Sequence, residues 1–67
     1  MPWQVTDERH VGGHAVYLVT RTVDELPQWE VVVDCITQYR GGETDARGKF
    51  RAWVRQLSRN AKRRAAK

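Results

Sequence analysis

The sequence has a single cysteine, Cys35, so the chain cannot form an intramolecular disulfide. It also lacks an apolar run of about 20 residues, the length that a membrane-spanning helix needs. Its first residues do not have the charged and apolar regions of a signal peptide. These absences argue against a disulfide-rich secreted domain and against a membrane partner, and they predict a reducing, cytoplasmic environment.

Acidic residues are missing from the last third of the chain. Residues 1–45 hold all eight acids and only three arginines, whereas residues 46–67 carry nine lysines or arginines and no acid. The two parts therefore have charges of −5 and +9, although the net charge is only +4. Such a split predicts a polyanionic partner for the basic part, or a self-association in which an acidic surface meets a basic one.

The 67 residues are enough for one small domain, and a hydrophobic content of 40% with three tryptophans supplies a single core. Alternation and β-branched content predict strands over about residues 3–7, 14–22 and 28–39. In the third strand, Cys35 is expected on the buried face. All three tryptophans, Trp3, Trp29 and Trp53, are at core-facing positions, so they are not expected to stack on bases.

The Gly-Gly pair at residues 12–13 is typical of a β-hairpin turn. A two-residue turn there would place Asp7 opposite Leu18, on the side of the hairpin that is expected to be buried. Because a carboxylate is unfavourable on a buried face, a bulge or a longer loop is expected across residues 8–13.

The last third of the chain is the clearest element. Its apolar residues recur with helical spacing and predict an amphipathic helix over about residues 45–61. The apolar stripe comprises Ala46, Phe50, Trp53, Val54, Leu57 and Ala61. Thr44 is the expected N-cap, and the basic tail over residues 62–67 is expected to fray. The predicted fold is therefore α+β, a small β-β-β-α domain whose three-stranded antiparallel meander is covered on one face by the C-terminal basic helix.

The cations of this helix form a pattern of their own, which we call the arginine ladder. Its members follow one another every fourth residue and, with Lys62, fill the side of the helical wheel opposite the apolar stripe. The ladder comprises Arg47, Arg51, Arg55, Arg59 and Arg63. Like charges four residues apart destabilise a helix by about 0.2–0.5 kcal/mol per pair, and no acid follows Asp45 to relieve them. A bound polyanion would remove the repulsion by neutralising these side chains.

These patterns predict a non-enzymatic binding module that contacts the phosphates of DNA or RNA with the arginine ladder and Lys62. The sheet is a less suitable surface, because Glu30 and Asp34 on the third predicted strand would repel phosphates. Several alternatives remain open. The cationic face is also consistent with a solvated surface, and the arginine content with a genome rich in GC codons. Two other functions fit the same pattern. One is a small phage-type accessory or inhibitor protein that binds an acidic protein partner, and the other is a homo-oligomeric structural protein.

A second candidate surface is predicted on the side of the sheet away from the helix. Tyr17, Val19, Val32 and Ile36 would form a modest apolar patch there, suitable for a dimer contact or a protein partner. We refer to these four residues as the sheet patch.

No motif predicts catalysis, a cofactor or a metal site. His10 and His14 flank a turn without a set of further ligands, and a buried Cys35 would be a poor nucleophile. The Gly-Gly pairs also lack the strand-loop-helix context of a phosphate-binding loop.

Overall fold

The computed structural model describes residues 3–65, which form four strands followed by one helix. These elements are β1 (Gln4–Val11), β2 (His14–Val23), β3 (Leu26–Val33), β4 (Ile36–Gly41) and α1 (Glu43–Ala65). The strands pair antiparallel in the order β1-β2-β3-β4, so that β1 and β4 are the edges of a meander. The α+β class is confirmed, whereas the prediction of three strands is wrong.

The predicted strand over residues 28–39 is two strands, because the chain reverses at Asp34 and Cys35. These residues form a two-residue hairpin loop with φ angles of 51° and 69°. A type I′ turn requires positive φ at both positions, for which Asn and Gly are the usual residues. Neither is present here, so alternation alone predicted a continuous strand. As a result Cys35 is exposed in a turn and not buried as predicted.

The first hairpin has a two-residue loop, and the irregularity expected across residues 8–13 lies at Thr6 instead. Asp7 pairs with Leu18 of the core, whereas Val5 pairs with a residue on the opposite face, which leaves Thr6 as the extra residue of a bulge. Such a bulge reverses the alternation of side chains along the strand. Asp7 therefore lies on the helix-covered face of the sheet, and Val5 lies on the open face.

The core lies between α1 and one face of the sheet. Its buried side chains are Val16, Leu18, Trp29, Val31 and Val33 from the strands and Ala46, Phe50 and Leu57 from the helix. Trp53 and Val54 are partly buried and pack against this cluster. Full burial of a large apolar side chain stabilises a fold by about 1.5–3 kcal/mol. The apolar residues that predicted the helix are therefore among those that hold it on the sheet.

The helix begins earlier and ends later than predicted. The Ala46 amide donates a hydrogen bond to the Gly42 carbonyl at 3.0 Å, so Gly42 and not Thr44 occupies the N-cap. Glu43 and Asp45 lie in the first turn, where the helix dipole favours acids. At the other end α1 continues to Ala65, whereas the fraying of the tail stays a prediction. The last two residues of that predicted tail lie outside the described residues.

The open face of the sheet buries a carboxylate. Glu30 is only 4% exposed, and its two oxygens accept hydrogen bonds from different side chains of β4. The Arg40 Nε donates to one oxygen at 2.6 Å, and the Thr37 hydroxyl donates to the other at 3.0 Å. The negative charge that was expected to repel phosphates from the sheet is therefore neutralised by Arg40.

Candidate functional site

A groove of about 510 Å³ runs between the edge strand β1 and the helix. Its lining residues are Asp7 and Arg9 from β1 and Phe50, Arg51, Val54, Arg55, Ser58, Arg59 and Lys62 from α1. The two β1 side chains face this way because their register partners, Leu18 and Val16, are core residues. Phe50 is buried and Val54 is half-buried, so these two residues give the groove an apolar floor.

The walls of this groove are strongly cationic. Five of the lining residues are lysine or arginine, and Asp7 is the only acid among the described residues that line it. The cations are exposed and lie on both walls, with Arg9 on β1 and the others on α1. An anion that enters the groove would therefore be approached from two sides by guanidinium groups, which bind phosphates in a bidentate geometry.

The helical wheel indicated that the arginine ladder lies opposite the sheet, but only part of it does. Each step of four residues advances 400° around a helix with 3.6 residues per turn, so the ladder winds about 40° per step. Its middle members, Arg51, Arg55 and Arg59, lie beside β1 and share the groove with Asp7. Arg63 is exposed on the helix but is not among the described lining residues.

The first member of the ladder has contacts within the domain. The Arg47 Nε donates to Glu43 Oε2 at 2.8 Å, and its guanidinium carbon lies 5.2 Å from the centroid of the Trp29 ring. The prediction that no acid of the helix relieves the ladder is therefore wrong for Arg47, because α1 begins at Glu43. Arg51 also makes an internal contact, a hydrogen bond of 3.4 Å from its Nε to the Arg47 carbonyl.

Asp7 and Arg9 were not predicted as site residues. They form an ion pair, with 3.3 Å between Arg9 Nη1 and Asp7 Oδ1, and the same oxygen accepts a hydrogen bond from the Glu8 amide at 2.8 Å. The two-residue turn at residues 12–13 already indicated that both side chains face the helix. A carboxylate at position 7 was not expected on that side, because the side was expected to be fully buried. The groove at the sheet edge leaves both charged side chains partly exposed, so they can lie there.

The sheet patch is brought together only in part. Tyr17 and Val32 are register partners, and Val19 lies on the same face by alternation. Ile36 pairs with Val33 of the core and therefore lies on the other face, because the hairpin loop interrupts the alternation that linked it to Val32. Val19 is buried, while Tyr17 and Val32 are half-buried, so the described patch offers less exposed apolar surface than expected.

Long side chains cover part of this open face. The Arg21 guanidinium carbon lies 4.3 Å from the centroid of the Trp3 ring. Trp3 is 36% exposed and does not belong to the core, contrary to the prediction, because the bulge in β1 separates it from the buried face. Arginine stems commonly cover apolar surface in this way while their charged ends remain hydrated.

The histidines each have a carboxylate neighbour. His10 Nε2 lies 2.5 Å from Glu8 Oε2, and His14 Nδ1 lies 2.5 Å from Asp34 Oδ2. The hydrogen bond with His14, together with one from the Ala15 amide, holds the pKa of Asp34 below its ordinary value of 3.8. Within residues 3–65, no three potential ligands come together as a metal site. The His10 contact lies within β1, whereas the His14 contact links the start of β2 to the β3–β4 hairpin loop.

Comparison with models of protein families, with curated proteins and with solved structures finds no match for this chain. The helix of the described region does not combine the length and apolar character needed to cross a membrane. The groove is therefore the main basis for a functional hypothesis.

Proposed function

We propose that the protein is a non-enzymatic module that binds the phosphate backbone of DNA or RNA in the groove between β1 and α1. The observation that supports this function is the lining of the groove, where five cations face one acid among the described residues. Cations that contact phosphates release condensed counterions, and this release drives binding that is largely independent of base sequence. The amphipathic helix predicted from the sequence is consistent with this role, because its cations remain available when its apolar side packs on the sheet.

The cations differ in how available they are. Arg55, Arg59 and Lys62 are exposed, and none of them forms an ion pair with a carboxylate of the described residues. We assign the first phosphate contacts to these three side chains. Arg9 and Arg51 extend the contact surface to the other wall and along the helix, and Arg63 would meet a strand that continues past the groove.

For Arg47 we propose a structural role in place of the predicted phosphate contact. Its ion pair with Glu43 and its position over the Trp29 ring indicate that it secures the helix start to the sheet. Exposed pairs of this kind contribute about 0.3–0.5 kcal/mol, and an arginine over an aromatic ring contributes about 0.5–1 kcal/mol at exposed sites. Substitution of Arg47 is therefore expected to lower the free energy of unfolding and to have little effect on the number of phosphates bound.

The salt dependence of binding tests the proposal. If four or five phosphates are engaged, the slope of log affinity against log salt concentration should be about −4 on duplex DNA and about −3 on single strands. Arg55→Gln and Arg59→Gln should each reduce the duplex slope by about 0.9, because each removes one phosphate contact. Fluorescence anisotropy at salt concentrations from about 50 to about 200 mM measures these slopes.

Lys49→Gln is the matched control. Lys49 also lies on α1, but it lines a different surface cavity with Trp53 and Gln56, and it approaches the Tyr39 ring. The control removes the same charge and should leave the slope nearly unchanged. The proposal fails if affinity is independent of salt, or if Lys49→Gln reduces the slope as much as the groove variants do.

A second candidate ligand is an extended acidic segment of a protein partner. The observation in its favour is that β1 is an edge strand of the sheet directly beside the cationic groove. An added strand could pair with such an edge while its acids meet the helix cations. Competition distinguishes the two ligands. If the groove binds an acidic segment, poly-glutamate should displace a bound acidic peptide at a lower concentration than a DNA strand of equal charge does.

A further inference from the structure

Asp7 is an unusual residue for a phosphate-binding groove. It is the only carboxylate among the described lining residues, and its side chain is 37% exposed. Its place is set by the register of the first hairpin, which pairs it with Leu18, and by the two contacts that Oδ1 makes with the Glu8 amide and Arg9. These contacts orient the carboxylate at the edge of the groove.

The second oxygen of this carboxylate is available to a ligand. Across the described residues, no donor forms a hydrogen bond with Asp7 Oδ2. Asp7 also borders a smaller cavity of about 200 Å³, which Arg47 and Arg51 line as well. Asp7 therefore borders both the groove and this smaller cavity, and a ligand in either space could approach its second oxygen.

A nucleic-acid strand in this groove has few groups that tolerate a carboxylate. Phosphate oxygens are repelled by it, and carbonyl oxygens of bases are acceptors like the carboxylate itself. The favourable partners are N–H donors on the bases, and an Asp or Glu typically accepts from the exocyclic amino group of cytosine. The ribose 2′-hydroxyl is also a donor, but it lies close to a phosphate and would bring that charge toward Asp7.

We propose that Asp7 is a specificity-determining residue that selects strands whose bases present an amino group, with cytosine favoured over uracil. This inference rests on the proposed nucleic-acid function and deepens it. The cations of the groove hold the phosphates, and Asp7 accepts a hydrogen bond from the amino group of a base that points toward β1. Cytosine and uracil are matched in size but differ on this edge. Cytosine presents an amino group at position 4, whereas uracil presents a carbonyl there, and the N3–H donor of uracil is flanked by two carbonyl oxygens that repel a carboxylate.

Single-stranded oligodeoxycytidine and oligodeoxyuridine of about twelve nucleotides are suitable probes, since one small domain covers about 4–16 nucleotides. The full chain should bind the cytosine strand about fivefold more tightly than the uracil strand, which corresponds to one net hydrogen bond. Asp7→Ala removes both the hydrogen bond to cytosine and the repulsion that the carboxylate exerts on phosphates. For the cytosine strand these two effects oppose each other, so the ratio should come close to one mainly through a higher affinity for the uracil strand. An oligouridine with ribose tests the 2′-hydroxyl, and it should bind no more tightly than its deoxy counterpart.

Two controls separate base selection from charge and from the position of Arg9. Asp24→Asn removes one acid from the β2–β3 hairpin loop, outside the groove, and should leave the ratio at about fivefold. Arg9→Gln removes one cation and should weaken the binding of both strands. The Glu8 amide still holds Asp7 Oδ1 in this variant, so the ratio should stay near fivefold. Thermal unfolding by circular dichroism confirms that each variant is folded. Equal affinity of the unaltered protein for the two strands, with salt-dependent binding intact, would overturn the inference alone, whereas loss of all salt-dependent binding would overturn the proposed function.

Discussion

Replacement of Arg40 by alanine gives a direct test of how the open face of the sheet is stabilised. The Glu30 side chain is only 6% exposed, and the Arg40 Nε donates to it at 2.6 Å. Removing one partner of a buried ion pair costs about 3–5 kcal/mol, because the remaining charge is left without compensation. Two features reduce this cost here. Arg40 itself is 65% exposed, so water already screens the pair, and the Thr37 hydroxyl keeps its hydrogen bond to Glu30. We expect Arg40→Ala to lower the free energy of unfolding by about 2 kcal/mol.

This loss should be measurable without unfolding the domain. At about 0.05–0.15 kcal/mol per residue, a chain of this length has a free energy of unfolding of about 3–10 kcal/mol. A loss of 2 kcal/mol corresponds to a fall in Tm of about 8–16 °C for a domain of this size. Urea denaturation followed by tryptophan fluorescence gives the change in free energy, and calorimetry gives the change in Tm.

The double variant Glu30→Gln, Arg40→Ala distinguishes an uncompensated charge from a simple loss of packing. Glutamine keeps the shape and can still accept the Thr37 hydrogen bond, but it carries no charge. The double variant should therefore be more stable than Arg40→Ala alone, by about 1 kcal/mol. A single variant that loses less than about 0.5 kcal/mol, or a double variant less stable than the single, would refute the reasoning.

Two further predictions concern the hairpin loops at one end of the sheet. Because the folded-state pKa of Asp34 lies below its ordinary value of 3.8, its ionised form stabilises the fold above that pH, and this contribution is lost as the pH falls through 3.8 toward the lowered pKa. The urea midpoint of the unaltered protein, relative to that of Asp34→Asn, should accordingly fall as the pH drops from 6 to below 4. The change with pH is compared, and not the absolute difference, because asparagine also suits the positive φ of residue 34. A difference that stays constant with pH would contradict the assignment. Cys35→Gly should raise the free energy of unfolding by about 0.5–1 kcal/mol, because Cys35 has a φ of 69° that glycine adopts without strain. Cys35→Ala keeps the β-carbon and should give no such gain in thermal unfolding, so equal stabilisation by both would exclude the backbone explanation.

Sequence periodicity was sufficient to predict the α+β class and the C-terminal helix. The apolar residues at helical spacing predicted α1 and its contact with the sheet, and residues such as Phe50 and Leu57 are buried as expected. The fourth strand was missed because alternation continues through Asp34 and Cys35 without a glycine, an asparagine or a proline. Two-residue loops with other residues adopt the same left-handed geometry at some cost in strain. Local composition cannot identify such loops when strand pairing supplies the compensating energy.

The candidate site was predictable in its charges but not in its position. The ladder was visible in the sequence, whereas its location beside β1 depends on how the helix crosses the sheet. Asp7 and Arg9 could have been placed on the helix side from the register of the first hairpin alone. The bulge at Thr6 could not have been predicted, because nothing in the local sequence distinguishes Thr6 from its neighbours as the unpaired residue.

The repulsion within the ladder is a weaker argument for a partner than the position of the ladder. Four pairs of like charges cost about 1–2 kcal/mol in total, and the pair of Arg47 with Glu43 offsets part of that cost. Burial of Phe50 and Leu57 against the sheet stabilises the helix by more than this amount, so the domain tolerates the repulsion without any ligand. The fact that the domain tolerates this repulsion does not explain why the exposed helix cations line a groove together with Arg9 of β1. A solvated helix face needs no cation from β1, whereas a phosphate strand held from two sides does, and this convergence supports the proposed binding of a polyanion.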